Sequence, residues 1–297
     1  MLTPQTSAQP AAPVATAPPL RGCFITGTDT EVGKTAISVG LLCLLSREGV
    51  RAAGYKPVAA GAVWRAAAGA AGAASAGDYP HANDPGYWHN DDVEALLAAS
   101  AIDLTRAEVC RCLLEEACAP HLAARLEGGS IDPLALIDGA HRLMPRCDAL
   151  VVEGVGGFCV PLVVGDTAAD ALGLSQTAPL GGGAFDAEDW GADDLAVALD
   201  LPVILVVGVR LGCINHALLT AQSVAASGLR LAGWVANCID AQMPHAPDNI
   251  ATIGRALQRR HGAPLLGVIE FMSPPVAERV ADQLDAAAVL RMLRLGE

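Results

Sequence analysis

Positive charge is scarce in this chain of 297 residues: Lys and Arg together number 19 against 32 Asp and Glu, a formal charge of −13. A phosphate backbone is repelled by such a surface unless the few cations cluster tightly, so no nucleic-acid partner is expected. Long apolar runs are missing too. Hydrophobic residues reach 52% and mean hydropathy is +0.38, but much of this is alanine. With no stretch of about 18 uninterrupted apolar residues, no membrane span is expected. Paired cysteine clusters are absent as well: the nine cysteines are scattered, at 23, 43, 110, 112, 118, 147, 159, 213 and 238, and none forms a CxxC that could build a zinc site. They read as small buried residues of a protein in a reducing cytoplasm. Residues 1–20 contain no charged side chain, hence neither the basic start of a signal peptide nor an amphipathic pattern, and read as a disordered Pro/Ala-rich tail.

What is present, over residues 21–297, is an alternation of short apolar runs with helical patterns, the mark of a doubly wound, mostly parallel α/β sheet covered on both faces. The strand candidates are Cys23 to Thr26, Ala52 to Tyr55, Ala149 to Glu153, Val203 to Gly208, Leu231 to Asn237 and Leu265 to Ile269. After the first, Ile37, Leu41, Leu44 and Leu45 fall at i, i+4, i+7 and i+8, giving a helix one apolar stripe to lay on the sheet. There is no internal repeat. Two Ala/Gly-rich stretches interrupt the pattern, near 62–89 and 165–191, and read as loops or insertions within one domain.

In such folds the ligand lies beyond the carboxyl ends of the strands, and the polar residues of this chain sit there. Thr26-Gly27-Thr28-Asp29-Thr30-Glu31-Val32-Gly33-Lys34-Thr35 joins an apolar strand to an apolar-striped helix, the context of a phosphate-binding loop. Its N–H groups can cradle phosphate, Lys34 can neutralise the outer phosphates and the Thr35 hydroxyl can ligate Mg²⁺. Five residues rather than the usual four separate Gly27 from Gly33.

Other signals admit two readings each. Lys56, at the end of the second strand, is either a solvated charge or a second anion clamp. Glu153 ends a buried-strand pattern and precedes three glycines, so it is either a loop charge or a Mg²⁺ ligand opposite Thr35. Asp91-Asp92 reads first as an N-cap pair for the helical pattern Val93 to Ala99. His121 has no identifiable partner and reads as a structural histidine. Cys213 precedes an apolar helix whose first N–H groups can hold an anion, and Asn237 either meets a base edge or begins a turn.

Taken together, Thr26 to Thr35, Tyr55-Lys56-Pro57-Val58-Ala59, Val152 to Gly157, Leu201 to Val206, Gly212-Cys213-Ile214-Asn215-His216 and Gly233-Trp234-Val235-Ala236-Asn237 resemble the dethiobiotin synthetase family, whose own loop is Gly-x5-Gly-Lys-Thr. The resemblance runs from about Arg21 to Ile269 and implies a P-loop NTPase fold and an ATP-dependent ligase that closes the ureido ring of dethiobiotin. The implied substrates are 7,8-diaminopelargonic acid, CO₂ and ATP, with Mg²⁺ as cofactor. The implied path runs through a carbamate and a carbamic-phosphoric anhydride.

It implies ATP contacts from Thr28, Asp29, Thr30, Glu31, Val32, Gly33, Lys34 and Thr35, with Asn237 on the adenine. Lys34 and Lys56 become the catalytic cations, and Thr35, Asp92 and Glu153 the metal ligands, Asp92 through the pattern Asn90-Asp91-Asp92. Gly212, Cys213 and Asn215 would bind the substrate carboxylate across a homodimer, Lys56 facing the substrate as well. Ala60 stands where the family commonly has Ser, and Glu270 where it has Pro. A related amidoligase and a ParA-like ATPase switch are the alternative functions.

Overall fold

The computed structural model describes residues 20–66, 86–165 and 189–293. Among these residues twelve strands follow one another in chain order: β1 (Gly22–Gly27), β2 (Ala52–Tyr55), β3 (Val58–Ala59), β4 (Val63–Ala66), β5 (Gly86–His89), β6 (Cys112–Leu113), β7 (Ala149–Glu153), β8 (Pro161–Val164), β9 (Asp189–Gly191), β10 (Val203–Gly208), β11 (Leu231–Asn237) and β12 (Leu265–Ile269). Six of them form one sheet in the order β12-β11-β10-β1-β7-β2, and every pairing in it is parallel. These are the six apolar runs of the sequence, with β1 longer by one residue at each end.

Each strand is apolar on both faces because each face is covered. Phe24, Val203, Leu205 and Val207 enter one core layer, against the helices Pro133–Leu143, Ala192–Leu199 and Cys213–Ala226. Their neighbours Cys23, Ile25, Ile204 and Val206 point the other way, against helix α1 (Lys34–Arg47) and the C-terminal helices Ala277–Asp282 and Ala286–Leu293. The predicted stripe Ile37, Leu41, Leu44 and Leu45 is wholly buried there.

The chain leaves β1 towards the β2 edge and later returns to β10 on its other flank, so the sheet order reverses at β1. That reversal opens a crevice at the carboxyl end of β1, the position of the glycine-rich loop.

Both insertions differ from plain loops at their bases. β4 pairs antiparallel with β5, with Trp64 opposite Trp88 and their rings edge to face at 5.4 Å. β8 pairs antiparallel with β9. Pairing between segments some twenty residues apart leaves no local periodicity, which is why the sequence reads these stretches as irregular. The interiors of both insertions and nearly all of the expected N-terminal tail lie outside the described residues.

The cysteines divide. Cys23, Cys110, Cys147 and Cys213 are buried as expected, whereas Cys118 and Cys159 are exposed; all nine are free thiols. Exposed thiols on short loop and turn segments reflect backbone placement, which composition does not report.

β1 begins under a severe steric limit. Gly22 has φ +138°, and a Cβ built on it would lie 1.9 Å from the Leu150 carbonyl oxygen of β7. Gly22→Ala should therefore destabilise the fold by about 2 kcal/mol or more, seen as a lower midpoint in urea unfolding at unchanged slope. A midpoint equal to wild type would show that β1 can shift against β7.

Candidate active site

The loop after β1 is held from several sides. The Thr28 N–H donates to the Val206 carbonyl of β10 at 3.0 Å, which fixes the loop's departure from the sheet. Gly33, at φ +86°, caps α1, and a Cβ there would lie 2.2 Å from Asn237 Nδ2. Asn237, at the end of β11, donates through that nitrogen to the Val32 carbonyl at 2.9 Å. Asn237 is thus neither free nor the start of a turn: it fastens the loop, and its amide oxygen makes no hydrogen bond among the described residues. Glu31 is exposed and has a left-handed backbone, φ 59°.

Four charged groups meet at the mouth of this loop. Lys34 Nζ turns back to donate to the Asp29 carbonyl at 3.1 Å. Lys56 Nζ lies 2.6 Å from Asp92 Oδ2 and 2.6 Å from Glu153 Oε1. Thr35 Oγ1 is 2.7 Å from Asp92 Oδ1 and 2.8 Å from Glu153 Oε1. Strand ends supply Lys56 and Glu153, the first turn of α1 supplies Lys34 and Thr35, and helix α2 (Asp91–Ala99) supplies Asp92.

Burial narrows the open readings. Lys56 is only 5% exposed and Glu153 is fully buried, so neither is a surface charge. The N-cap of α2 is Asn90, whose side chain accepts from the Val93 N–H, and not the aspartate pair. Asn occupies that position because its extended backbone leaves the amide oxygen over the first turn. Asp91 and Asp92 are then consecutive helical residues, about 100° apart around the axis. Asp92 faces Lys56, while Asp91 is 92% exposed and pairs with His89 Nε2 at 2.7 Å. His121 stands apart, its Nδ1–H donating to the Pro161 carbonyl at 3.2 Å.

The cluster sets its own electrostatics. Burial lowers Lys34 to about 8, with the Lys56 ammonium adding to the effect and Glu153 and Asp92 opposing it. Burial pulls Lys56 the same way, but Glu153 and Asp92 outweigh it and hold the amine above the ordinary lysine value. Asp92 is likewise pushed up by burial, yet the charge of Lys56 and hydrogen bonds from Lys56 and Thr35 keep its carboxyl below the usual range.

A hard divalent cation fits the donor set. The Thr35 hydroxyl has one proton but two carboxylate oxygens beside it, so one close O···O contact goes without a hydrogen bond. Glu153 Oε2 is buried without a hydrogen-bond partner among the described residues. Three convergent oxygens from one hydroxyl and two carboxylates suit Mg²⁺, which takes one or two carboxylates and completes its shell with water and phosphate. No group of three or more His, Cys, Asp or Glu side chains able to hold a metal occurs among the described residues, in keeping with so sparse a site.

The start of the helix Cys213–Ala226 makes no hydrogen bond or ion pair with this cluster among the described residues. Gly212, φ +93°, and Asn215 are exposed. Cys213 is 1% exposed and its N–H donates to the Arg210 carbonyl at 3.0 Å, which removes both its thiol and its amide from ligand contact in this arrangement. Arg210 is the residue that sequence reasoning missed: its guanidinium grips the Asp29 carboxylate. Its place just after a strand's carboxyl end was the available signal.

A family model described as "AAA domain" matches residues 21–176 and 188–279. The chain is 44% identical over 263 residues to the ATP-dependent dethiobiotin synthetase of Janthinobacterium sp. (strain Marseille), covering 89% of this chain and 93% of that protein. Among solved structures it is similar to the septum site-determining protein MinD of Pyrococcus horikoshii, complexed with Mg-ADP. The TM-score is 0.45 and the identity 15%, over 92% of this chain and 94% of the other. The cell division protein FtsY of Thermotoga maritima gives TM-score 0.40 at 15% identity, over 96% and 71%.

The chain contains only two lysines, Lys34 and Lys56, so their titration is directly readable. In protein labelled with ¹⁵N-lysine, Lys34 Nζ should titrate with a midpoint of about 8, and Lys56 Nζ should stay protonated well beyond it. Two coincident titrations near the ordinary lysine value would show that the amines are solvated rather than buried.

Proposed function

The chain belongs to the dethiobiotin synthetase family, an ATP-dependent ligase of biotin synthesis acting on small molecules, and from that premise we propose that it joins 7,8-diaminopelargonic acid and CO₂ into dethiobiotin, releasing ADP and phosphate. One observation carries the assignment to this site: Thr35, Lys56, Asp92 and Glu153 converge within 2.6–2.8 Å beside Lys34 at the mouth of the loop.

One substrate amine takes up CO₂ as a carbamate. The carbamate oxygen attacks the γ-phosphorus, ADP leaves, and a carbamic-phosphoric anhydride results. The second amine then attacks the anhydride carbonyl and expels phosphate, closing the five-membered ring. Each step moves negative charge among oxygens, so the protein's task is positioning and neutralisation rather than nucleophilic attack.

Lys34 binds the γ-phosphate, and Lys56 faces the carbamate and its phosphorylated form. The N–H groups of Thr28 to Thr35 cradle the phosphate chain. Asn237, with its nitrogen fastened to Val32, presents its amide oxygen to the amino group of adenine. Thr35, Asp92 and Glu153 would hold Mg²⁺, which would supply charge neutralisation for phosphoryl transfer. Glu31 lies on the exposed lip of the loop, beside phosphate or substrate.

The substrate carboxylate goes to the helix start of a neighbouring copy, at the exposed Gly212 and Asn215. Leu211, Asn215 and Leu219 recur every four residues, and Leu211 and Leu219 are 93% and 58% exposed. Two bare leucines flanking a polar Asn suit an interface that buries them around a carboxylate. The free thiols Cys118 and Cys159 fit a reducing, cytoplasmic setting. Among the described residues, no helix is long and apolar enough to cross a membrane.

ATP turnover should rise strongly only when diaminopelargonate and bicarbonate are both present, and equal rates without them would overturn the ligase reading. Lys34→Ala should lower the stimulated rate by about two orders of magnitude or more, the loss of roughly 3 kcal/mol of preorganised charge. A rate within about tenfold of wild type would remove Lys34 from the phosphate site.

The shared site is tested by mixing Lys34→Ala with Gly212→Trp, each inactive alone. In a two-fold dimer both lesions of a mixed pair fall in one site and leave the other whole. Random remixing makes about half the dimers mixed, so about a quarter of wild-type activity should return. No recovery, with subunit exchange verified by mass, would place the whole site within one chain.

A further inference from the structure

The ammonium of Lys56 occupies the ground between the two carboxylates that the reading above gives to the divalent cation. Nζ is 2.6 Å from Asp92 Oδ2 and 2.6 Å from Glu153 Oε1, and that same Oε1 is 2.8 Å from Thr35 Oγ1. A buried carboxylate pair without a counter-charge is strongly unfavourable, so the ammonium neutralises part of it in the metal-free protein. A doubly charged cation beside that ammonium would be repelled, and both would claim Glu153 Oε1.

Lys34 is arranged differently. Its Nζ donates to the Asp29 backbone carbonyl and hydrogen-bonds to neither carboxylate. Of the two lysines, Lys56 alone is tied to the residues that would hold metal.

We propose that Lys56 is a resident counter-ion for Asp92 and Glu153, a place-holder that must leave the pair before the divalent cation is bound. The inference rests on the assignment of Asp92 and Glu153 as metal ligands. Loading of the cation is then coupled to release of Lys56, and the amine becomes free to face the carbamate only in a metal-loaded site. The nucleotide-free protein should accordingly hold a divalent cation weakly, because the ammonium competes for the same oxygens.

Mn²⁺ alone, without nucleotide, is the probe, and its binding is followed by the paramagnetic resonance of the free ion. Lys56→Met should bind Mn²⁺ at least about tenfold more tightly than wild type, Lys56→Arg should show no such gain, and Asp92→Asn in the Lys56→Met background should abolish it. Mn²⁺ affinity in Lys56→Met within twofold of wild type overturns the proposal.

If Lys56→Met fails to reach the wild-type circular dichroism spectrum, wild-type protein decides. Its two ¹⁵N-lysine side-chain signals are assigned with Lys34→Arg. The Lys56 signal should move on addition of Mg²⁺ with a non-hydrolysable ATP analogue, and stay in place with the analogue in EDTA. A signal that stays in both, or moves equally in both, overturns the proposal. Neither measurement uses diaminopelargonate or turnover, so a failure of the ligase reading registers in the stimulation assay and not here.

Discussion

Taking a carboxylate or an ammonium out of water costs several kcal/mol per ion unless an opposite charge and hydrogen bonds meet it. Glu153 and Lys56 are both buried, each at the carboxyl end of a parallel strand, and neither is tolerable without the other. The strand β7 can end in a glutamate only because β2, its neighbour in the sheet, ends beside a lysine. Helix α2 must then bring Asp92 to the same point, and the start of α1 must bring Thr35.

The sheet makes such a meeting possible. Parallel strands place all their carboxyl ends on one edge, so residues far apart in sequence come within hydrogen-bond distance there: Thr35 and Glu153, separated by 118 positions, lie 2.8 Å apart. The loop is secured to the same edge by Val206 below and Asn237 beside it, and by Arg210 through Asp29. A loop fastened at three points holds its N–H groups ready for phosphate without reorganising at the moment of reaction. Its two unusual backbone positions, Glu31 and Gly33, are the bends that this fastening requires.

The difference between the two lysines illustrates how one environment yields two behaviours. Both are buried, yet Lys34 faces a backbone carbonyl and falls to about 8, while Lys56 faces two carboxylates and rises. The insertion closed by β4 and β5 adds a further, more exposed layer of charge, in which His89, Arg65 and Arg106 meet Asp91 and Glu94.

The amino-acid sequence by itself determined the six sheet strands, the apolar stripe of α1 and the phosphate-binding loop. These depend on local periodicity and on residue types at short spacing, and a strand buried on both faces writes its burial directly as an apolar run. Only the tertiary structure decided that Lys56 and Glu153 are buried rather than solvated, because exposure at a strand end depends on which strand lies next to it. It chose Asp92 over Asp91 through the helical turn between them, and Asn90 as the cap. It showed Asn237 bonded to the loop, Cys213 closed to ligands, and Arg210 on Asp29. The contacts of Lys56 with Asp92 and Glu153, of Asn237 with Val32 and of Arg210 with Asp29 join residues distant in sequence, and such contacts leave no trace in local spacing.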